Sequence, residues 1–174
     1  AKTLPRDFLG AAKRLWKRPA IADSTGQDLT YGKTLTAAIL LAGLLKTRLP
    51  EAKNVGVLLP SSVGGALTNV ALGILGKVPV NLNYTASREA LDHAEKTAAF
   101  GVTITSKKFL AALKERGAAE PPKNLIFLED LLPLIPKWKK TLTYLALKVL
   151  PRRAVEALWF RRAPRALDET ATIL

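Results

Sequence analysis

The chain has no cysteine, no methionine and one histidine, His93, in 174 residues. Without cysteine there is no disulfide, no thiolate nucleophile and no Cys-ligated zinc or iron–sulfur centre. That usage fits a reducing compartment. A single histidine removes every multi-His metal site. Acidic side chains are scarce, 14 Asp and Glu against 27 Lys and Arg, for a net charge of +13. Apolar residues are not scarce: with 48% hydrophobic residues the chain should fold rather than stay disordered. The length suits one compact domain or two small lobes and needs no covalent staple. The sequence opens on Ala1, which leaves room for processing or excision from a larger protein. Residues 1–20 are basic and contain no apolar run of signal-peptide length.

Only one long stretch lacks charge. Residues 54–76, NVGVLLPSSVGGALTNVALGILG, are long enough to span a bilayer. Their internal pattern argues for something else. Val55 to Leu59 is a short β-branched run, Pro60-Ser61-Ser62 is a turn with capping residues, and Val63 to Leu75 reads as a buried helix ended by Gly76.

The remaining chain alternates strand and helix. Residues 7–17 pattern as an amphipathic helix, and Ala20–Ala22 and Leu29–Tyr31 as a hairpin around Ser24-Thr25-Gly26-Gln27. A helix over 33–48 ends at Pro50. After the strand at 55–59 and the helix at 62–75 come a strand at 78–82, a helix at 88–99 capped by Ser87 and ended by Gly101, and a strand at 102–105. A helix at 107–116, capped by Ser106 and ended by Gly117, leads to a strand at 125–128. Such alternation predicts an α/β fold with a mostly parallel sheet flanked by helices. From about residue 130 prolines break the chain into short pieces, and 137–150 and 152–163 read as two helices. The domain reading is an α/β lobe over 1–130, a basic amphipathic helical segment over 131–166, and the start of a strand over 167–174.

The charge excess sits in that helical segment. Residues 137–165 carry nine basic residues against the single acid Glu156, so they supply +8 of the chain's +13. Trp138, Leu142, Leu145 and Val149 run through the first helix among lysines, and Val155, Leu158, Trp159 and Phe160 through the second between arginines. Aromatic edges and basic polar faces are features of helices lying in a membrane interface. The candidate contact residues are Trp138, Lys139, Lys140, Lys148, Arg152, Arg153, Trp159, Phe160, Arg161 and Arg162, facing an anionic membrane or an acidic protein. Ordinary packing with a basic outer face is the plainer alternative. No zinc finger, RNP-like run or heptad-backed basic region is present, so no nucleic-acid partner is expected.

No catalytic constellation stands out. Gly56, Gly64, Gly65 and Gly73 make neither GxGxxG nor a P-loop, and Ser61-Ser62 is not within GxSxG. His93 lacks the HxxxxD acid of a glycerolipid acyltransferase, since Ala98 stands there. Glu89, Asp92 and Glu95 pattern as solvated helix charges beside Arg88 and Lys96.

Three stretches together resemble the N-terminal part of the AMP-forming acyl-activating ligases, the acyl-adenylate synthetases. They are Pro19-Ala20-Ile21-Ala22 with Leu29-Thr30-Tyr31-Gly32-Lys33-Thr34-Leu35 and Leu41-Ala42-Gly43-Leu44-Leu45; Val55 to Ser62 running into Ala71-Leu72-Gly73-Ile74-Leu75-Gly76-Lys77-Val78-Pro79-Val80-Asn81-Leu82-Asn83-Tyr84; and Val102-Thr103-Ile104-Thr105-Ser106 with Phe109. Lys33-Thr34 replaces a common acidic residue, and Ser61 stands where Asn is usual. The run from Lys77 to Ala86 is most similar to the acyl-[acyl carrier protein] synthetase half of the bifunctional 2-acylglycerophosphoethanolamine acyltransferases. The resemblance covers residues 5–130. It implies a parent enzyme that converts fatty acid and ATP to acyl-AMP and then to a thioester on a carrier protein or CoA, with lysophospholipid re-acylation as a further implied activity. It implies ATP and Mg2+ for the parent, none of them bound by this chain alone. It also implies a location in the cytoplasm, peripheral at the inner membrane, with the remainder of the ligase and an acyl carrier protein as partners. The family's phosphate loop follows the matched region, and Asp168 to Leu174 resembles the turn and strand leading into it. No catalytic, cofactor-binding or metal residue carries over to this chain. The competing reading is a non-catalytic binding module for anionic lipid or an acidic carrier protein.

Overall fold

A computed structural model describes residues 3–49, 51, 53–163 and 171–173. The expected helix stop at Pro50, the cation Arg165 and residues 167–170 and 174 of the expected terminal strand lie outside the described residues. Helix α1 (Leu4–Arg14) leads into the antiparallel hairpin β1 (Pro19–Ala22) and β2 (Asp28–Thr30), followed by α2 (Tyr31–Leu45). Four parallel strands make the main sheet: β3 (Asn54–Leu58), β4 (Val78–Asn81), β5 (Thr103–Thr105) and β6 (Leu125–Phe127), in the order β4-β3-β5-β6. Helices α3 (Val63–Ile74), α4 (Arg88–Ala98) and α5 (Lys107–Glu115) connect them. After β6 come α6 (Leu128–Leu131), a 3-10 turn over Leu132–Leu134, α7 (Lys137–Val149) and α8 (Arg152–Trp159). The α/β class and the parallel sheet agree with the sequence pattern.

Local chemistry sets these starts and stops. Thr30, Ser62, Ser87 and Ser106 sit in extended backbone, and each side-chain oxygen accepts a hydrogen bond from the N–H three residues on. That contact satisfies one of the free donors of a helix start and is worth about 1 kcal/mol. Helix α4 stops before the expected Gly101: Ala99 takes the left-handed conformation, with φ of 49°. Asn54 Nδ2 donates to the Ala98 carbonyl at 2.6 Å, which fixes the helix end while Phe100 is buried beneath it. Leu128 leaves the strand expected for it and opens α6. Gly76 is required twice over, by a φ of 71° and by the Arg162 carbonyl, which occupies the place a Cβ would take.

The main core lies between the sheet and α1, α2, α3, α7 and α8, and includes Leu9, Leu35, Leu45, Val55, Leu72, Ile104, Leu147 and Phe160. A smaller cluster on the other side of the sheet joins Leu58, Val80, Leu82, Leu91 and Phe100. Residues 171–173 return to the sheet: Ile173 bridges Val80 in parallel, its N–H donating to the Pro79 carbonyl and its carbonyl accepting from Asn81 N–H, both at 2.9 Å.

Candidate functional site

Two bare surfaces stand out, one on α3 and one on α7. The first is a groove of about 950 Å³ between α1, the hairpin, the solvent face of α3 and the chain after β4. Leu4, Phe8, Ile21, Leu59, Val70 and Tyr84 give it apolar walls, and Lys77 is the one charged residue among the described residues that line it. Its polar groups are largely spent on each other. Asn69 and Asn81 exchange two amide hydrogen bonds at 3.0 Å, Asn69 also donates to the Gly65 carbonyl, and Asn81 to Thr172 Oγ1 at 3.1 Å. Helix α3 is apolar nearly all round, the composition of a helix meant to be covered on both sides.

Asp23 fixes the hairpin wall of this groove. Its carboxylate accepts from Thr25 Oγ1 and, through Oδ2, from the N–H of Val63 at the start of α3, 2.9 Å away. Those bonds, the Thr25 hydroxyl first, hold the Asp23 carboxyl below the usual carboxylate range, against the weaker upward push of desolvation. The positive end of α3 also favours the carboxylate. At the far end of the sheet, partial burial pushes Glu129 up, but bonds from Ser106 Oγ and from nearby backbone N–H groups outweigh it and leave it lowered. These acids hold loops together. Among the described residues no group of three or more His, Cys, Asp or Glu could hold a metal ion.

The second surface is the outer side of α7. Its inner side is latched. Leu147 is fully buried, and Trp16 Nε1 donates to Tyr144 Oη at 2.8 Å with the two rings 5.0 Å apart. Trp16 in turn lies over Gly32, where any side chain would collide with the indole. Lys13 Nζ caps the last carbonyls of α7, donating to Leu147 and, at 2.6 Å, to Leu150. Burial lowers the Lys13 pKa from its ordinary value. On the opposite side Trp138, Leu142, Leu145 and Val149 are 67%, 58%, 50% and 81% exposed.

The sequence-predicted contact residues divide. Trp138, Lys139, Lys140 and Lys148 are exposed on α7, and Arg153, Arg161 and Arg162 are exposed on and after α8. Arg152 is also exposed but committed: its Nε donates to Glu156 at 2.8 Å and its guanidinium to the Arg6 carbonyl at 3.2 Å. Glu156 holds Arg6 as well, at 3.3 Å, so the one acid of the segment is neutralised within the fold. Trp159 is half-buried against the core. Phe160 is a correction: it is fully buried, because α8 ends at Trp159 and the chain turns the ring inward. Sequence periodicity had put it on a helix face that does not extend that far. The groove escaped sequence reading, though the uncharged, small-residue character of 63–75 was its signal.

No family model matches the chain. Solved structures do. The N-terminal domain of FACL13 from Mycobacterium tuberculosis superposes with a TM-score of 0.62 and 20% identity, over 76% of this chain and 36% of that one. The Klebsiella oxytoca NpsA N-terminal subdomain gives 0.67 and 16%, over 99% and 38%. The o-succinylbenzoate CoA synthetase MenE from Bacillus subtilis gives 0.59 and 21%, over 73% and 25%. The chain therefore has the fold found at the N-terminal end of such ligases. It spans less than two fifths of each of these three structures.

Proposed function

We propose that the chain is the N-terminal lobe of an acyl-adenylate-forming ligase that activates fatty acids. The parent would convert fatty acid and ATP to acyl-AMP and pass the acyl group to the thiol of an acyl carrier protein or CoA. Work at the inner face of a membrane, with lysophospholipid re-acylation as the onward use, belongs to the same reading. The observation that carries it is the shared fold, joined to the three sequence stretches of the resemblance. Those stretches fall at the hairpin and α2, at β3 through β4, and at β5 with its following helix.

ATP and Mg2+ would be bound by the remainder of the parent, where the resemblance puts the phosphate loop. When bound, Mg2+ neutralises phosphate charge as the acyl carboxylate attacks. This chain's own part is scaffolding. The groove along α3 is the surface we assign to the rest of the ligase: its walls are apolar, Lys77 is the one charged residue among the described residues that line it, and it belongs to a helix that is apolar on both sides.

The test is an immunoblot of fractionated source cells with antibody to this chain, paired with fatty-acid-dependent ATP–pyrophosphate exchange by the captured protein. A band several times larger than the 18.8 kDa chain, with exchange activity, is expected. A band at the chain's own size without exchange would overturn the reading in favour of a non-catalytic binding module.

A further inference from the structure

Of the nine large hydrophobic side chains that are exposed among the described residues, seven fall between Leu132 and Leu158. Four of them, Trp138, Leu142, Leu145 and Val149, follow i, i+4, i+7 and i+11, so at about 100° per residue they form one stripe. The same geometry puts Lys137 and Lys148 along one border of the stripe and Lys139 along the other. A lysine can run its methylene stem over apolar surface while its ammonium stays at a polar boundary. All residues from 136 to 142 are exposed, so the first half of α7 stands clear of the body.

The helix also breaks a local rule. Its first turn holds no acid and carries Lys137, Lys139 and Lys140, at the end where the helix dipole is already positive. Pro136 gives no side-chain cap. Among the described residues no ion pair holds these lysines, and Glu156 is taken by Arg6 and Arg152. A local conflict of this kind is expected where a surface serves a function rather than the fold.

We propose that the outer stripe of α7 docks the protein flat on a bilayer rich in anionic lipid. The stripe enters the acyl boundary with Trp138 at the headgroup level, and the bordering lysines meet lipid phosphates. The choice of lipid over an acidic protein rests on the stripe itself: an unbroken apolar row, with an aromatic at one end and cations on both borders, is the pattern of an interfacial helix. No helix among the described residues is long and apolar enough to cross a membrane, so the contact lies in the plane of the surface. The proposal stands on the exposed side chains of α7. It takes only the membrane's place in the cell from the ligase reading.

The experiment is co-sedimentation of the 174-residue chain with vesicles of phosphatidylglycerol and phosphatidylcholine, and with phosphatidylcholine alone, followed by tryptophan emission. Binding to the anionic vesicles with a blue shift is expected, at least tenfold weaker without phosphatidylglycerol. Leu142→Glu with Leu145→Glu should abolish it while the circular dichroism is unchanged. Lys137→Glu, Lys139→Glu and Lys148→Glu together should reduce it at least tenfold. These lysines are chosen over Arg152, which serves the fold. Trp138→Phe should bind but lose the blue shift. Undiminished binding by the leucine variant, no binding by the wild-type chain, or capture of an acidic carrier protein in place of vesicles would each overturn the proposal. None of these outcomes bears on pyrophosphate exchange, so the ligase reading stands or falls separately.

Discussion

Helices α3 and α7 each pack one side on the same core and leave the other bare, yet the two bare sides differ in charge. Among the described residues that line the groove along α3, Lys77 alone is charged. The stripe on α7 has lysines on both borders and no acid in the helix's first turn, and Glu156 is taken by Arg6. Apolar area alone does not say what covers a surface. The border does: a rim with little charge suits the interior of a larger protein, and a cationic rim suits an anionic surface. α7 adds a second contrast within itself, between a latched inner side and a bare outer one.

Removing the buried ring that follows α8 should have the largest effect. Phe160→Ala empties a fully buried site next to α8 and should cost about 3–5 kcal/mol, read by urea denaturation. A loss below 1 kcal/mol would mean that the end of α8 is not seated on the core. Tyr144→Phe is a finer cut. It removes the acceptor for Trp16 Nε1 and should cost about 1 kcal/mol by the same measurement.

On the α3 side the lever is Asp23. Its folded pKa lies below the ordinary carboxylate value, so the ionised form is the one the fold holds. The sign follows from linkage. The contribution is complete above the unfolded pKa of about 3.9 and is lost as pH falls through the folded value. Asp23→Asn should therefore lower the melting temperature at pH 7, and the gap from wild type should close on acidification below about pH 4. A gap that persists at low pH would mean that the hairpin is fixed by something other than the carboxylate.

Much of this was legible in the sequence because its signals are local. Ser62, Ser87 and Ser106 cap the helices they were expected to cap, and strand–helix alternation produced the parallel sheet. What failed was what depends on tertiary packing. Gly101 was the obvious stop for α4, but burial of Phe100 and the Asn54 bond forced Ala99 into the left-handed turn instead. Phe160 reads as part of an amphipathic face until the chain turns at Trp159 and buries it. Arg152 reads as a free cation, yet its partners Glu156 and the Arg6 carbonyl come from four and 146 residues away, and only the first is visible locally. The α7 stripe was written plainly at helical spacing. That it stays bare could not be seen, because α2 and α1 claim only the other side.

The smallest stability effect is the sharpest test of the comparison. Leu142→Glu and Leu145→Glu replace side chains that are 58% and 50% exposed, so each should change unfolding free energy by no more than about 0.5 kcal/mol. The sign can even be favourable. Each introduced carboxylate would lie three residues from a lysine, Lys139 or Lys148, and such a pair is worth about 0.2–0.5 kcal/mol on a helix surface. Added negative charge also relieves a chain that carries +13. A chain that becomes as stable or more stable while losing its vesicle binding would separate the outer side of α7 from the fold. A loss of more than about 2 kcal/mol would instead place that stripe in the core economy of the lobe, and the distinction between its two sides would collapse.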